Sequence, residues 1–119
     1  MRSAMESKAQ YYPREKLNLK SDIRGVKMWA VALEKTMLTY FEVNPSSSFE
    51  MHSHESEQIT MVLEGELFFN LNDKIISVKK GEVMAIPSNM PHAVFTNRRR
   101  VKAVDAWSPI MEKYKDHIS

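Results

Sequence analysis

The sequence predicts an all-β domain, a sandwich or barrel, on three observations. Short runs rich in β-branched and large apolar residues recur along the chain. Clusters of Gly, Pro, Asn, Asp and Ser separate them. No strong helical period runs through the middle of the chain. The 119 residues suffice for one hydrophobic core without disulfide staples, and the chain has no cysteine with which to make one.

The elements follow in order. Residues 1–24 form an N-terminal arm, mixed in charge and carrying Tyr11-Tyr12-Pro13, expected as an edge or swapped strand. Gly25 opens a strand over 26–33, and the polar tip Glu34-Lys35 turns it into a second over 36–43, a hairpin pattern. Asn44-Pro45-Ser46-Ser47-Ser48 is a loop, because Pro removes a donor and Asn and Ser favour local turns. Strands are then expected over 49–54 and 58–63, with Glu64-Gly65 closing the second in a tight turn. Residues 67–71 and 75–78 read as a hairpin around Asn72-Asp73-Lys74. Gly81 turns the chain into 83–86, a stiff loop runs from Pro87 to Pro91, and 92–96 and 101–107 are the last strands. The main domain spans 25–110, and residues 111–119 are left as a short helix or loose tail. Met28, Met37, Met61 and Met84 are assigned to the core.

Three of the four histidines can converge on one ion. His52 and His54 are two apart, so a strand projects both from one face. Gln58 follows across a short bend, and His92 returns from far along the chain. Imidazole and amide oxygen suit a divalent transition metal (Ni, Mn, Fe or Zn), one per chain. Glu55 and Glu57 are expected in solvent, Arg98-Arg99-Arg100 at an exposed tip, and His117 outside the site.

The spacing then reaches a family. His54 precedes Gln58 by four residues and Gly65 follows it by seven; Gly81 precedes Pro87 by six and His92 follows by five. These two segments strongly resemble the signatures of the cupins, which implies a double-stranded β-helix, or jelly roll, holding a metal between its sheets. The resemblance covers roughly residues 35–107. Gln58 stands where glutamate is usual, Asn89 where glycine is usual, and Asn97 one residue late. An amide in place of a carboxylate leaves a divalent site more electron-poor and the stronger Lewis acid.

The chain's end, Pro87-Ser88-Asn89-Met90-Pro91-His92 with Val104-Asp105-Ala106-Trp107-Ser108-Pro109, is similar to the small pectin-degradation (KdgF-type) cupins. That resemblance implies metal binding by His52, His54, Gln58 and His92. It also implies opening of unsaturated monouronates to linear keto sugars, with Asp105 and Trp107 near the metal. Met111 departs from it, standing where that family has an arginine for the uronate carboxylate. Strand alternation puts Asp105 and Trp107 on one face. Asp105 reads either as a proton-transfer group or as a carboxylate bonded to backbone; Trp107 reads either as a platform for a sugar ring or as core filling. The competing function classes are a metal-dependent dioxygenase and a non-catalytic ligand-binding cupin.

Partners and address follow from charge and from signals. A net charge of +2 is too small to suggest nucleic acid or an anionic membrane, leaving a small molecule, with a sugar acid foremost. No run reaches the ~18 apolar residues of a membrane span and no signal peptide precedes residue 20, so a cytoplasmic protein is expected. Edge strands need protection, and the arm with Tyr11 and Tyr12 can supply it across a two-fold axis, so a homodimer is expected.

Overall fold

A computed structural model describes residues 9–21 and 25–119, so residues 1–8 and 22–24 of the expected arm lie outside the described residues. Among the described residues ten strands follow one another: β1 (Lys20–Ser21), β2 (Lys27–Ala32), β3 (Met37–Val43), β4 (Ser48–His52), β5 (Glu57–Glu64), β6 (Glu66–Leu71), β7 (Lys74–Lys79), β8 (Val83–Ile86), β9 (His92–Thr96) and β10 (Val101–Ser108). They form two antiparallel sheets, one in the order β1-β2-β3-β10-β5-β8 and the other β4-β9-β6-β7. The jelly-roll barrel is the fold the sequence predicts.

Alternation decides which side chains enter the space between the sheets. Met28 and Ala30 of β2, Met37 and Phe41 of β3, Val62 of β5 and Phe69 of β6 point inward and are buried. The same parity turns Met61 outward, 40% exposed, because its neighbours Thr60 and Val62 take the inward positions. That corrects the core assignment of Met61, whereas Met28, Met37 and Met84 are buried as expected.

Turn chemistry explains the reversals. Gly65 joins β5 to β6 at φ +83°, and a Cβ there would lie 2.5 Å from the Arg100 carbonyl oxygen. Glycine is required both for the left-handed backbone and for the close approach. Asn72 takes φ 58° at the β6–β7 hairpin, a conformation asparagine tolerates. That hairpin tip is two residues long, because Lys74 already pairs with Leu71.

Strand β1 and the last residue, Ser119, both lie against β2. Lys20 and Ser21 pair with Met28 and Lys27, and the Ser119 amide donates to the Ala30 carbonyl. The tail is a 3₁₀ segment, Glu112–His117, anchored by buried Tyr114 in edge contact with Phe41. It is therefore ordered against the core.

Candidate metal centre

Cross-strand pairing brings together histidines forty residues apart. His52 ends β4 and is the register partner of His92, the first residue of β9, and their ring centroids are 4.4 Å apart. His54 lies beyond the end of β4, which corrects the expected strand over 49–54. Its carbonyl accepts from the Asn89 amide across the loop instead of joining a ladder. The bend still carries its ring to 5.5 Å from His52 and 4.9 Å from His92. One ligand nitrogen from each of the three lies within 4.8 Å of the others. Asn89 itself sits at φ 62°, which accounts for an asparagine where a glycine is usual.

Hydrogen bonds set the tautomers. The Nδ1 of His52 faces the Glu50 carbonyl at 2.8 Å, that of His54 the Ser56 carbonyl at 2.8 Å, and that of His92 the Met90 carbonyl at 2.9 Å. A carbonyl only accepts, so each Nδ1 carries the proton and each Nε2 keeps its lone pair. Gln58, on β5 in the other sheet, donates from Nε2 to Thr60 Oγ1 at 2.9 Å, which turns its Oε1 toward His54 Nε2 at 3.1 Å. Two acceptor atoms thus face each other at hydrogen-bond distance. A cation between them resolves the conflict, and the donor set of three imidazoles and an amide oxygen fits a divalent transition metal. Burial lowers the pKa of His92, the nearby His52 and His54 lower it further, and its bond to Met90 opposes the shift. It is neutral, as a ligand must be.

The cluster opens into a pocket of about 640 Å³, mouth included, whose walls include Gln58, Thr60, Asp105, Trp107, Lys113 and Tyr114. Asp105 lies mid-strand on β10 between register partners Thr39 and Thr60, is 7% exposed, and leaves Oδ1 without a hydrogen-bond partner. Burial raises its pKa to about 7, against a smaller lowering by the hydrogen bond with Thr60. A polar path therefore runs from Gln58 through Thr60 to Asp105. Trp107 is 4% exposed, donates from Nε1 to Thr39 Oγ1 at 2.8 Å, and stands edge-on to His54 at 5.4 Å. It is a wall of the pocket and a core residue at once. Trp107→Ala should cost about 3–5 kcal/mol of stability, the range for deleting a large buried aromatic. Thermal or urea unfolding of the variant reads that loss.

Glu55 and Glu57 are exposed, as are Arg98, Arg99 and Arg100. His117 stands apart from the three-histidine cluster. Met111 packs against the core, while Lys113, two residues on, lines the pocket with its Nζ 5.1 Å from the centroid of the Tyr114 ring. Sequence reading missed Thr39, Thr60, Lys113 and Tyr114. Thr60 was recoverable by alternation from Gln58; the two tail residues carry no local signal.

Comparison with known proteins agrees with this architecture. The chain resembles the acireductone dioxygenase of Heterostelium pallidum, 36% identical over 74 residues that cover 52% of this chain and 51% of that protein. Acireductone dioxygenase 1 of Sorghum bicolor is 29% identical over 93 residues, covering 68% and 51%. The chain thus spans about half the length of the curated relatives it matches. Among solved structures, KdgF from Halomonas sp. superposes with a TM-score of 0.80 at 17% identity, covering 89% of this chain and 98% of that one. An RmlC-like cupin from Shewanella frigidimarina reaches 0.82 at 19% identity, covering 92% and 99%. At these identities the likeness is one of fold. The family model for the cupin domain matches residues 39–107, the span that carries all three clustered histidines, Gln58, Asp105 and Trp107. With a match over more than half its length and this jelly roll around it, the chain belongs to the cupins.

Proposed function

We propose that this cupin is a metal-dependent enzyme that moves protons on a small oxygen-rich ligand, foremost a sugar acid. The observation that carries the reading is Asp105, a buried carboxyl with a free oxygen in the pocket that His52, Gln58 and His92 also line. His52, His54, His92 and Gln58 would hold one divalent ion (Ni, Mn, Fe or Zn), which supplies a Lewis acid to an oxygen-bearing ligand.

The chain's own residues account for the remaining needs. A carboxyl with a pKa of about 7 is half protonated at neutral pH, so Asp105 both gives and takes a proton. Thr60 orients it. Opening a cyclic unsaturated monouronate to its linear keto form breaks the ring C–O bond, removes a proton from the hemiacetal hydroxyl and adds one at a ring carbon. One acid–base group serves both transfers. Trp107 and Tyr114 give the pocket apolar walls, and Lys113 is the lysine or arginine that lines it among the described residues. It supplies positive charge for the ligand's carboxylate where Met111 supplies none.

A second reading, metal-dependent dioxygenase, is favoured by the names of the curated relatives. Metal-loaded protein should convert unsaturated monouronates to linear keto sugars faster than buffer, followed by proton NMR, without consuming oxygen. No acceleration would sink the sugar-acid reading, and oxygen uptake with an acireductone would install the second.

A further inference from the structure

The inside of the barrel changes character along its length. On β10, Trp107 pairs with Gln58, and two residues back Asp105 lies between Thr39 and Thr60. Two further back Ala103 lies between Phe41 and Val62, and the next rung holds Val43. The smaller sheet follows the same gradient. His52 pairs with His92, whereas two residues along β9 Val94 lies between Phe49 and Phe69, and Leu67 follows on β6. Phe41, Val43, Leu67, Phe69 and Ala103 are buried, yet they line the same pocket as His52, Gln58 and His92. One cavity therefore joins an end rich in ligand atoms to an apolar end. Among the described residues, the side chains lining that second end carry no hydrogen-bonding group. Protein interiors close-pack to leave few voids larger than a water molecule, so such room has a local cause. The inward side chains of β10 are Val101, Ala103, Asp105 and Trp107, and alanine leaves its rung short.

We propose that this interior is an amphipathic binding site, whose ligand is a small molecule with an oxygen-bearing head at the histidines and an apolar tail in the compartment beyond Asp105. The head rests on the metal-centred reading above, and the tail narrows the substrate class. A fully hydroxylated chain is disfavoured at the apolar end, because each hydroxyl there gives up water and finds no partner. Each one so placed should lower affinity by about tenfold. A methylene in the same position leaves water for apolar contact and should raise affinity by about threefold to fourfold. A sugar acid is therefore accepted where its hydroxyls stay level with Gln58 and Asp105 and an apolar substituent runs on past Ala103. Four residues of β3 separate the Asp105 rung from Val43, about 13 Å of strand, which sets the reach of a tail. Ligand pockets commonly combine mostly apolar walls with a few convergent polar groups that fix the head.

Tail and head are tested by separate measurements. Xenon, which enters apolar cavities, reads the compartment in metal-free protein. Under xenon pressure the methyl NMR signals of Val43, Leu67 and Val94 should shift and saturate, while those of exposed Val83 should not. Ala103→Leu fills the rung from within and should abolish those shifts; Ala103→Val, the smaller filling, should weaken them where leucine misfolds. Alkyl hydroxamates, whose paired oxygens grip a divalent metal, read head and tail together in nickel-loaded protein. From acetohydroxamate through butyrohydroxamate to hexanohydroxamate, calorimetric affinity should rise about tenfold for each two methylenes. In Ala103→Leu the gain should vanish, so that all three bind alike. Absence of saturable xenon shifts in folded wild type overturns the compartment. Affinity that stays flat along the hydroxamate series, or a full gain in folded Ala103→Leu, overturns the tail. If xenon binds and no hydroxamate of any length does, the metal-centred head is overturned while the compartment stands.

Discussion

Replacing His54 and His92 together by alanine is expected to take the protein from about one divalent metal per chain to none. The three Nδ1 atoms are committed to backbone carbonyls, so the three Nε2 lone pairs are left for an ion, in a cluster where one ligand nitrogen of each ring lies within 4.8 Å of the others. Removing two of them leaves His52, which is exposed, and the amide oxygen of Gln58. Two neutral donors cannot compete with water for a divalent ion at micromolar concentration. His117→Ala should leave the metal content unchanged, because that ring lies outside the cluster. Elemental analysis of protein purified without added chelator reads both outcomes, and full metal content in the double variant would sink the assignment. Acid should act in the same direction. Each ligand imidazole must be neutral, so protons displace the ion as the solution is acidified, and affinity should recover when the pH is raised again.

Asp105→Asn should lower turnover by ~100-fold or more while keeping the metal, the usual scale for losing a general acid or base. The same change should make metal-free protein more stable at pH 8, and this second readout separates a working carboxyl from a structural one. Asp105 is buried, and burial raises its pKa from 3.8 to about 7. A raised pKa means the native state holds its proton where the unfolded chain has released it. The contribution to stability is therefore complete below about pH 4 and is lost as pH rises through about 7. Over that window the loss is on the order of 4 kcal/mol. Asparagine has no proton to lose, so the variant should lack this loss and keep only the pH dependence of its other groups, His92 among them. Urea unfolding of metal-free wild type and variant at pH 5 and pH 8 measures the difference. Equal pH dependence in both proteins would show that Asp105 is not the titrating group, and a fully active Asp105→Asn would end its proton-transfer role.

Much of the fold was legible because alternation and turn residues are local. Gly65 and Asn72 mark reversals that their own φ angles require, and the hairpin between β6 and β7 follows from the polar tip. The candidate site was legible for a different reason. His52, His54, Gln58 and His92 are few, of one chemistry, and separated by spacings that a jelly roll closes. Asp105 and Trp107 came from the resemblance to the small pectin-degradation cupins, strand parity set them on one face, and β10 does turn both into the pocket.

Three features escaped the sequence, each through a contact between distant segments. His54 looked like a strand residue beside His52, yet the Asn89 amide, thirty-five residues on, holds its carbonyl in a loop. Met61 looked like core, because apolarity is visible in sequence while the face a strand presents is not. The polar demand of the site put Gln58 and Thr60 inside and sent Met61 out. Tyr114 and Lys113 belonged to a tail without periodicity, and only packing on Phe41 and Trp107 brought them to the pocket. By itself the sequence determined the strands, their turns and the donor atoms available for a metal, since these depend on side-chain chemistry and near neighbours. Tertiary structure decided the rest: which tautomer each histidine holds, how deeply Asp105 is buried, and which apolar residues face water. Each of those is set by a partner that arrives from another part of the chain.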